Sequence, residues 1–209
     1  MNRIIVILAV TLLFSDLNAQ DKENKTYEGF KGRKALCFSI DGLDLDAYNG
    51  GVGGKKWISD DFVLFASLNI AYSKTEDKNS NPNDYNTDSY SYGVSAGFEK
   101  HFSLSKRQSP FLGLSIGNKL KNTETNSMIN NVGNSEDNIN SRFYECDFIG
   151  GMEFLLSRDI SLSAQYNIGL IYTKLTTNHT IDDVVLSNSE NSKTTFGINS
   201  VLLTLSFYF

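Results

Sequence analysis

The chain ends on a run in which Val201, Leu203, Leu205, Phe207 and Phe209 occupy every second position, and Phe209 is the last residue. A period of two puts all five side chains on one face of a β-strand, whereas a helix would scatter them around its axis. The same alternation recurs upstream. Leu64, Ala66, Leu68, Ile70 and Tyr72 share a face opposite Phe65, Ser67, Asn69, Ala71 and Ser73. Tyr90, Tyr92, Val94, Ala96, Phe98 and Phe102 oppose Ser89, Ser91, Gly93, Ser95, Gly97, Glu99 and His101. Leu162, Ala164, Tyr166, Ile168, Leu170 and Tyr172 oppose Ser161, Ser163, Gln165, Asn167 and Gly169. Each strand has one long apolar face, and the question is what covers it.

Two solutions exist. A soluble sandwich buries the apolar faces against each other, and a membrane barrel turns them outward to lipid. The opposite face here is rich in Ser, Gly and Asn, which suits a narrow barrel interior. Tyr and Phe gather at strand ends, as in the aromatic girdles of membrane barrels. No segment after the N-terminus is long and apolar enough for a membrane helix, so a membrane location requires strands closed into a ring, where every backbone N–H and C=O is paired.

The N-terminus has the form of a secretory signal: Arg3, an apolar stretch from Ile4 to Phe14, and Ala19 before Gln20. No Cys follows the expected cut, so no lipoprotein anchor is expected. The organisation that results is a signal peptide over 1–19, a periplasmic segment over 20–33 and a barrel over 34–209. Strands are expected near 34–40, 50–58, 62–75, 88–103, 109–121, 141–156, 160–176 and 194–209. Cys37 and Cys146 fall on opposite faces of non-adjacent strands, which predicts two free thiols. The net charge of −5 argues against nucleic acid as a partner.

The connections alternate in length. Short ones fall at Ser59–Asp61, Leu104–Gln108 and Ser157–Asp159, and long ones at Asp41–Asn49, Glu76–Thr87, Asn122–Asn140 and Thr177–Lys193. Membrane barrels have short periplasmic turns and long external loops, and an even strand count returns the C-terminus to the periplasm. The short turns share a pattern of Gly, aromatic, Ser and charge, with Trp57, Phe102 and Phe154 expected near the periplasmic interface. The long connections hold 12 of the 24 acidic residues and many Asn, so they are expected to be mobile loops.

With its signal peptide, the segment GGVGGKKWISDD, the alternating hairpins and the SFYF terminus, the chain resembles the small outer-membrane β-barrel family of Gram-negative bacteria, the OmpA/OmpX-like porin-family domains. The resemblance covers nearly all of the mature chain. It implies an eight-stranded antiparallel up-and-down transmembrane β-barrel in the bacterial outer membrane, monomeric, with membrane lipid and the outer-membrane insertion machinery as partners. Leu205, Phe207 and Phe209 would then form the C-terminal insertion signal. Family members include adhesins, structural anchors and weak channels, so the resemblance specifies fold rather than activity.

Glu99, Lys119, Glu145, Asp147 and Glu153 are expected to point into the barrel, with Lys55 or Lys56 and His101. Confined charges must be paired or hydrated, and eight strands leave room for side chains rather than an open channel. A plugging ion-pair network is the preferred expectation, and a narrow solute path the alternative. His179 shares a loop with Asp182, Asp183, Ser187 and Ser189, which makes a set of residue types without the spacing of a catalytic motif. Asp41, Asp44 and Asp46 lack the ligand spacing of a calcium loop. Tyr48, Tyr85 and Tyr144 are expected in the girdle. Neither a catalytic residue nor a cofactor or metal site is assigned. The expected role is structural or surface-interacting, through the external loops and a ligand the sequence does not name. Transport across the outer membrane is the alternative, and a lipid-modifying enzyme is third.

Overall fold

A computed structural model describes residues 30–41, 47–77, 85–102, 107–129, 133–181 and 184–209. The expected signal peptide over 1–19, most of the segment over 20–33, and Asp44, Asp46, Asp182 and Asp183 lie outside these residues.

Eight strands run in chain order: β1 Lys34–Asp41, β2 Ala47–Trp57, β3 Phe62–Asp77, β4 Tyr85–His101, β5 Gln108–Ile129, β6 Gly133–Leu155, β7 Ile160–Ile181 and β8 Val184–Tyr208. Each pairs antiparallel with the next, and β1 with β8 closes the barrel. Closure joins Ala35 to Tyr208 and Leu36 to Phe207, so the C-terminal alternating run completes the wall.

The apolar faces point outward. Ile70, Val94, Ile116, Phe148 and Leu170 are all exposed, Phe148 by 69%. A side chain of this size forgoes roughly 1.5–3 kcal/mol when left in water. A continuous belt of them is a surface built for a non-aqueous neighbour. The tyrosines mark its outer edge: Tyr72 packs on Tyr90 with ring centroids 4.9 Å apart, and Tyr144 on Tyr172 at 6.2 Å. Beyond them the outward positions turn polar, through Glu124, Arg142, Lys174 and Glu190. Tyr48 and Tyr85 lie on described backbone, but their side chains are outside the described set.

The first and last short turns repeat one geometry. Ile58 N–H donates to Phe62 O at 2.8 Å, and Leu156 N–H donates to Ile160 O at 2.9 Å. In the first turn the Ser59 hydroxyl donates to Asp61 at 2.6 Å and holds that carboxyl below its usual range. The middle turn falls on residues 103–106, outside the described set.

Two expectations need correction. The segments 122–140 and 177–193 are largely strand, not loop. β5 and β6 continue to Ile129 and from Gly133, and β7 and β8 continue to Ile181 and from Val184. These stretches are mostly polar, with only scattered apolar residues such as Ile139, Val184 and Leu186, so they carry no sustained apolar alternation. Their pairing is held by the backbone ladder and by cross-strand hydroxyls such as Thr87 with Thr125 at 3.1 Å and Ser89 with Thr123 at 2.8 Å. The inner face is also not uniformly small. Trp57 points into the barrel and is 1% exposed, as is Phe111, so Trp57 is at the periplasmic end but is not an interfacial girdle residue. Phe65 points inward over Gly97, where a Cβ would approach its ring to 2.7 Å. Cys37 is buried, Cys146 is exposed, and both are free.

Candidate functional site

The interior is built in two layers. The lower layer lies at the periplasmic end, where strands β2, β4, β5, β6, β7 and β8 turn polar or aromatic side chains toward one point. Lys55 Nζ donates to Glu99 Oε2 at 2.8 Å, with both side chains almost wholly buried. His101 places Nε2 3.1 Å from the same oxygen and Nδ1 3.1 Å from Ser109 Oγ. Glu153 accepts hydrogen bonds from Tyr208 OH at 2.5 Å and from Ser161 Oγ, and its other oxygen lies 3.7 Å from His101 Nδ1. Aromatic rings wall the cluster. His101 stacks on Phe111 at 5.1 Å and packs against Trp57 at 4.7 Å, while Lys55 Nζ lies 5.4 Å from the Phe111 centroid.

The segment before β1 closes this layer from below. Gly32 adopts φ +86°, a left-handed turn that glycine accommodates without strain, and its N–H donates to Trp57 O at 2.9 Å. The turn seats Phe30 against Trp57 at 5.0 Å and Tyr208 at 5.4 Å. Arg33 lies over the Phe30 and Tyr208 rings and bonds Asp159 at 2.6 Å.

The upper layer is a polar cavity of about 120 Å³ whose lining includes Asp41, Lys119, Glu145, Asp147, Phe65 and Ile149. Asn199 donates to Asp147, and Asn49 donates to Asp41 at 2.9 Å. Ile149, only 2% exposed, lies two positions toward the periplasmic side of Asp147 and helps to separate the layers. The structure thus brings Glu99 and Glu153 together with Lys55 and His101, and holds Lys119, Glu145 and Asp147 apart in the upper cavity. Lys56 is on the outer face. The sequence argument missed Phe30, Phe111 and Tyr208 as members of the plug. Trp57 was accessible to it, since Lys55 and Trp57 share a parity and only one phase of β2 buries both.

Above the tyrosines, β3 to β8 rise as a crown while β1 and β2 stop short. β8 pairs with β7 from Val184 to Phe207, but with β1 only from Leu202 to Tyr208. Among the described residues the β1-side edge of β8 from Val184 to Val201 therefore has no strand partner. Within the crown, His179 Nδ1 lies 2.5 Å from Asp137 Oδ1, and Ser187 is the cross-strand neighbour of His179. Among the described residues no hydrogen bond joins Ser187 to His179. Lys174 bonds Glu190 at 2.7 Å on the outer face, and that carboxylate raises the lysine's pKa.

No family model matches the sequence, and no curated protein matches it. Among solved structures, the chain is similar to a major outer membrane protein from Thermus thermophilus, with 11% identity and a TM-score of 0.56 over 85% of this chain and 99% of that one. It is also similar to Ail, the attachment invasion locus protein of Yersinia pestis, at 11% identity and a TM-score of 0.42 over 86% and 99% of the two chains. A third is the outer membrane protein AlkL, at 11% identity and a TM-score of 0.46 over 91% and 96%. A closed ring of eight antiparallel strands, apolar outside and polar within, matches the first of these along nearly its whole length, and the chain has the fold of the small outer-membrane β-barrels.

Proposed function

We propose that the chain is a plugged outer-membrane barrel that carries a β-sheet crown outside the cell and engages an extended polypeptide there. The observation that carries this reading is the edge of β8 from Val184 to Thr194, which lies beyond the Tyr144–Tyr172 pair and has no strand partner among the described residues. An unpaired edge offers a row of backbone donors and acceptors, and an incoming strand satisfies them by extending the sheet. The lower layer supports a structural rather than a conducting barrel, because the aromatic and ion-paired side chains fill the lumen. In this reading the N-terminal segment is a cleaved export signal, and Leu205, Phe207 and Phe209 form the outward stripe read by the insertion machinery. Phe207 and Phe209 are exposed, and Leu205 is half-buried on the same face.

The test is a crown-shortened chain in which the residues between Tyr172 and Thr194, which are direct cross-strand partners, are replaced by a two-residue turn. It should still insert and show heat-modifiable gel mobility, and should lose binding of the intact barrel to extracellular polypeptides. Unchanged binding would overturn the role of the β8 edge. In planar bilayers the intact barrel should show no large steady conductance step, and such a step would overturn the plug.

A further inference from the structure

Resting on the reading that the outward apolar face meets lipid, we infer that the outer surface of β1–β4 holds one anionic phospholipid of the periplasmic leaflet, its phosphate between Lys34 and Lys56 and an acyl chain in the groove above them. Two independent features of the wall meet here.

The first is shape. Gly54, Ala66 and Ala96 are direct cross-strand partners on β2, β3 and β4, and all three face outward. The outward neighbours Leu64, Leu68, Val52 and Val94 are larger, so this stretch sinks below its surroundings. It forms two grooves of about 490 and 700 Å³ that share Gly53 and Ala66 and so run into one another. The lower groove begins at Lys34, Lys56 and Phe209, and the upper one ends beside Ile116.

The second is charge. Lys34 and Lys56 face each other directly across β1 and β2, and both are exposed. Like charges opposed on one face of a sheet repel. Two other cations at this end have anionic partners: Arg33 bonds Asp159 at 2.6 Å, and Lys100 lies 4.0 Å from Asp61. Among the described residues no ion pair joins Lys34 or Lys56 to an anion, although Phe209, whose O accepts from the Lys34 N–H at 3.1 Å, lies beside them. An anion seated between the two ammonium groups removes the repulsion. At this height on the wall the anion at hand is a lipid headgroup, and basic residues beside a bilayer attract anionic lipid. Free phosphate would satisfy the lysines but leave the apolar groove unfilled, whereas a phospholipid occupies both.

Native mass spectrometry of the full refolded chain tests this, with phosphatidylglycerol and phosphatidylcholine of identical acyl chains supplied in equal amounts. The expected result is one retained lipid with at least a tenfold preference for phosphatidylglycerol. K34Q/K56Q should abolish that preference, K34Q and K56Q singly should each reduce it, and Ala66→Trp should lower retention of both lipids by filling the groove. Excess inorganic phosphate should not displace the lipid. Equal retention of the two lipids, an unchanged preference in K34Q/K56Q, or displacement by inorganic phosphate would each overturn the site. Vesicle flotation and heat-modifiable mobility of the same preparations separate the two levels of failure. A wild-type chain that stays soluble without detergent overturns the membrane barrel itself, while a floating, heat-modifiable barrel with unselective lipid retention overturns only this inference.

Discussion

The periplasmic half of the barrel and its crown are made by the same strands and obey opposite rules. In the lower half most polar groups of the strands face inward into a crowded space, and the outer face is apolar above a rim of lysines, Lys34, Lys56 and Lys100. Glu99, Lys55 and His101 have little contact with water, so their interactions are strong when made and costly when one partner is missing. In the crown, both faces are mostly polar. Lys174 and Glu190 are a comparable pair by distance, yet both are half exposed or more, and water competes for each. Two ion pairs of almost equal length therefore differ in consequence because of their surroundings.

The largest expected effect follows from that contrast. Lys55→Met leaves Glu99 buried beside a single remaining partner and should cost about 3–5 kcal/mol, read as a loss of urea resistance of the inserted barrel. The double variant Lys55→Met with Glu99→Leu should recover much of that loss, because no unpaired charge remains; if it does not, the pair is needed for more than mutual neutralisation. Next is Gly97→Val, whose Cβ would meet the Leu114 carbonyl oxygen as well as the Phe65 ring. Its expected cost is about 1–3 kcal/mol, checked by the same unfolding curve, and Gly97→Val with Phe65→Leu should relieve part of it. Shortening the crown should change barrel unfolding by no more than about 0.5 kcal/mol, since the buried layers are untouched. A large loss there would erase the distinction between the two halves. Last, Lys174→Met should produce no measurable change in unfolding midpoint, whereas a shift comparable to that of Lys55→Met would show that the crown pair is shielded from water.

The legible part of the fold was its lower half. Strand starts and ends near the periplasmic turns agreed within a residue or two, because apolar alternation runs up to turns marked by Ser, Asp and Arg. The upper ends were not legible. In Thr123–Asn126 and Asn188–Ser192 both faces are polar, and a strand without an apolar face looks like a loop when only hydropathy is compared. The candidate site divided in the same way. The parity of Glu99 and Glu153 placed them on the inner face. Nothing local said that Lys55, His101 and Glu153 would converge, or that Phe30 would close the base, since Phe30 precedes any strand pattern.

By itself the sequence determined most of the sidedness: which residues of β3 to β8 look outward, where the short turns fall, and that Val201–Phe209 is a strand ready to close a ring. Sidedness is local, because a side chain's direction alternates with every residue along an extended backbone. Only the tertiary structure decided neighbourhood. It chose Glu99 for Lys55, 44 residues away in the chain, opposed Lys34 to Lys56, and left β8 standing past the end of β1. Those outcomes depend on the stagger between strands, which is set by the closure of all eight at once.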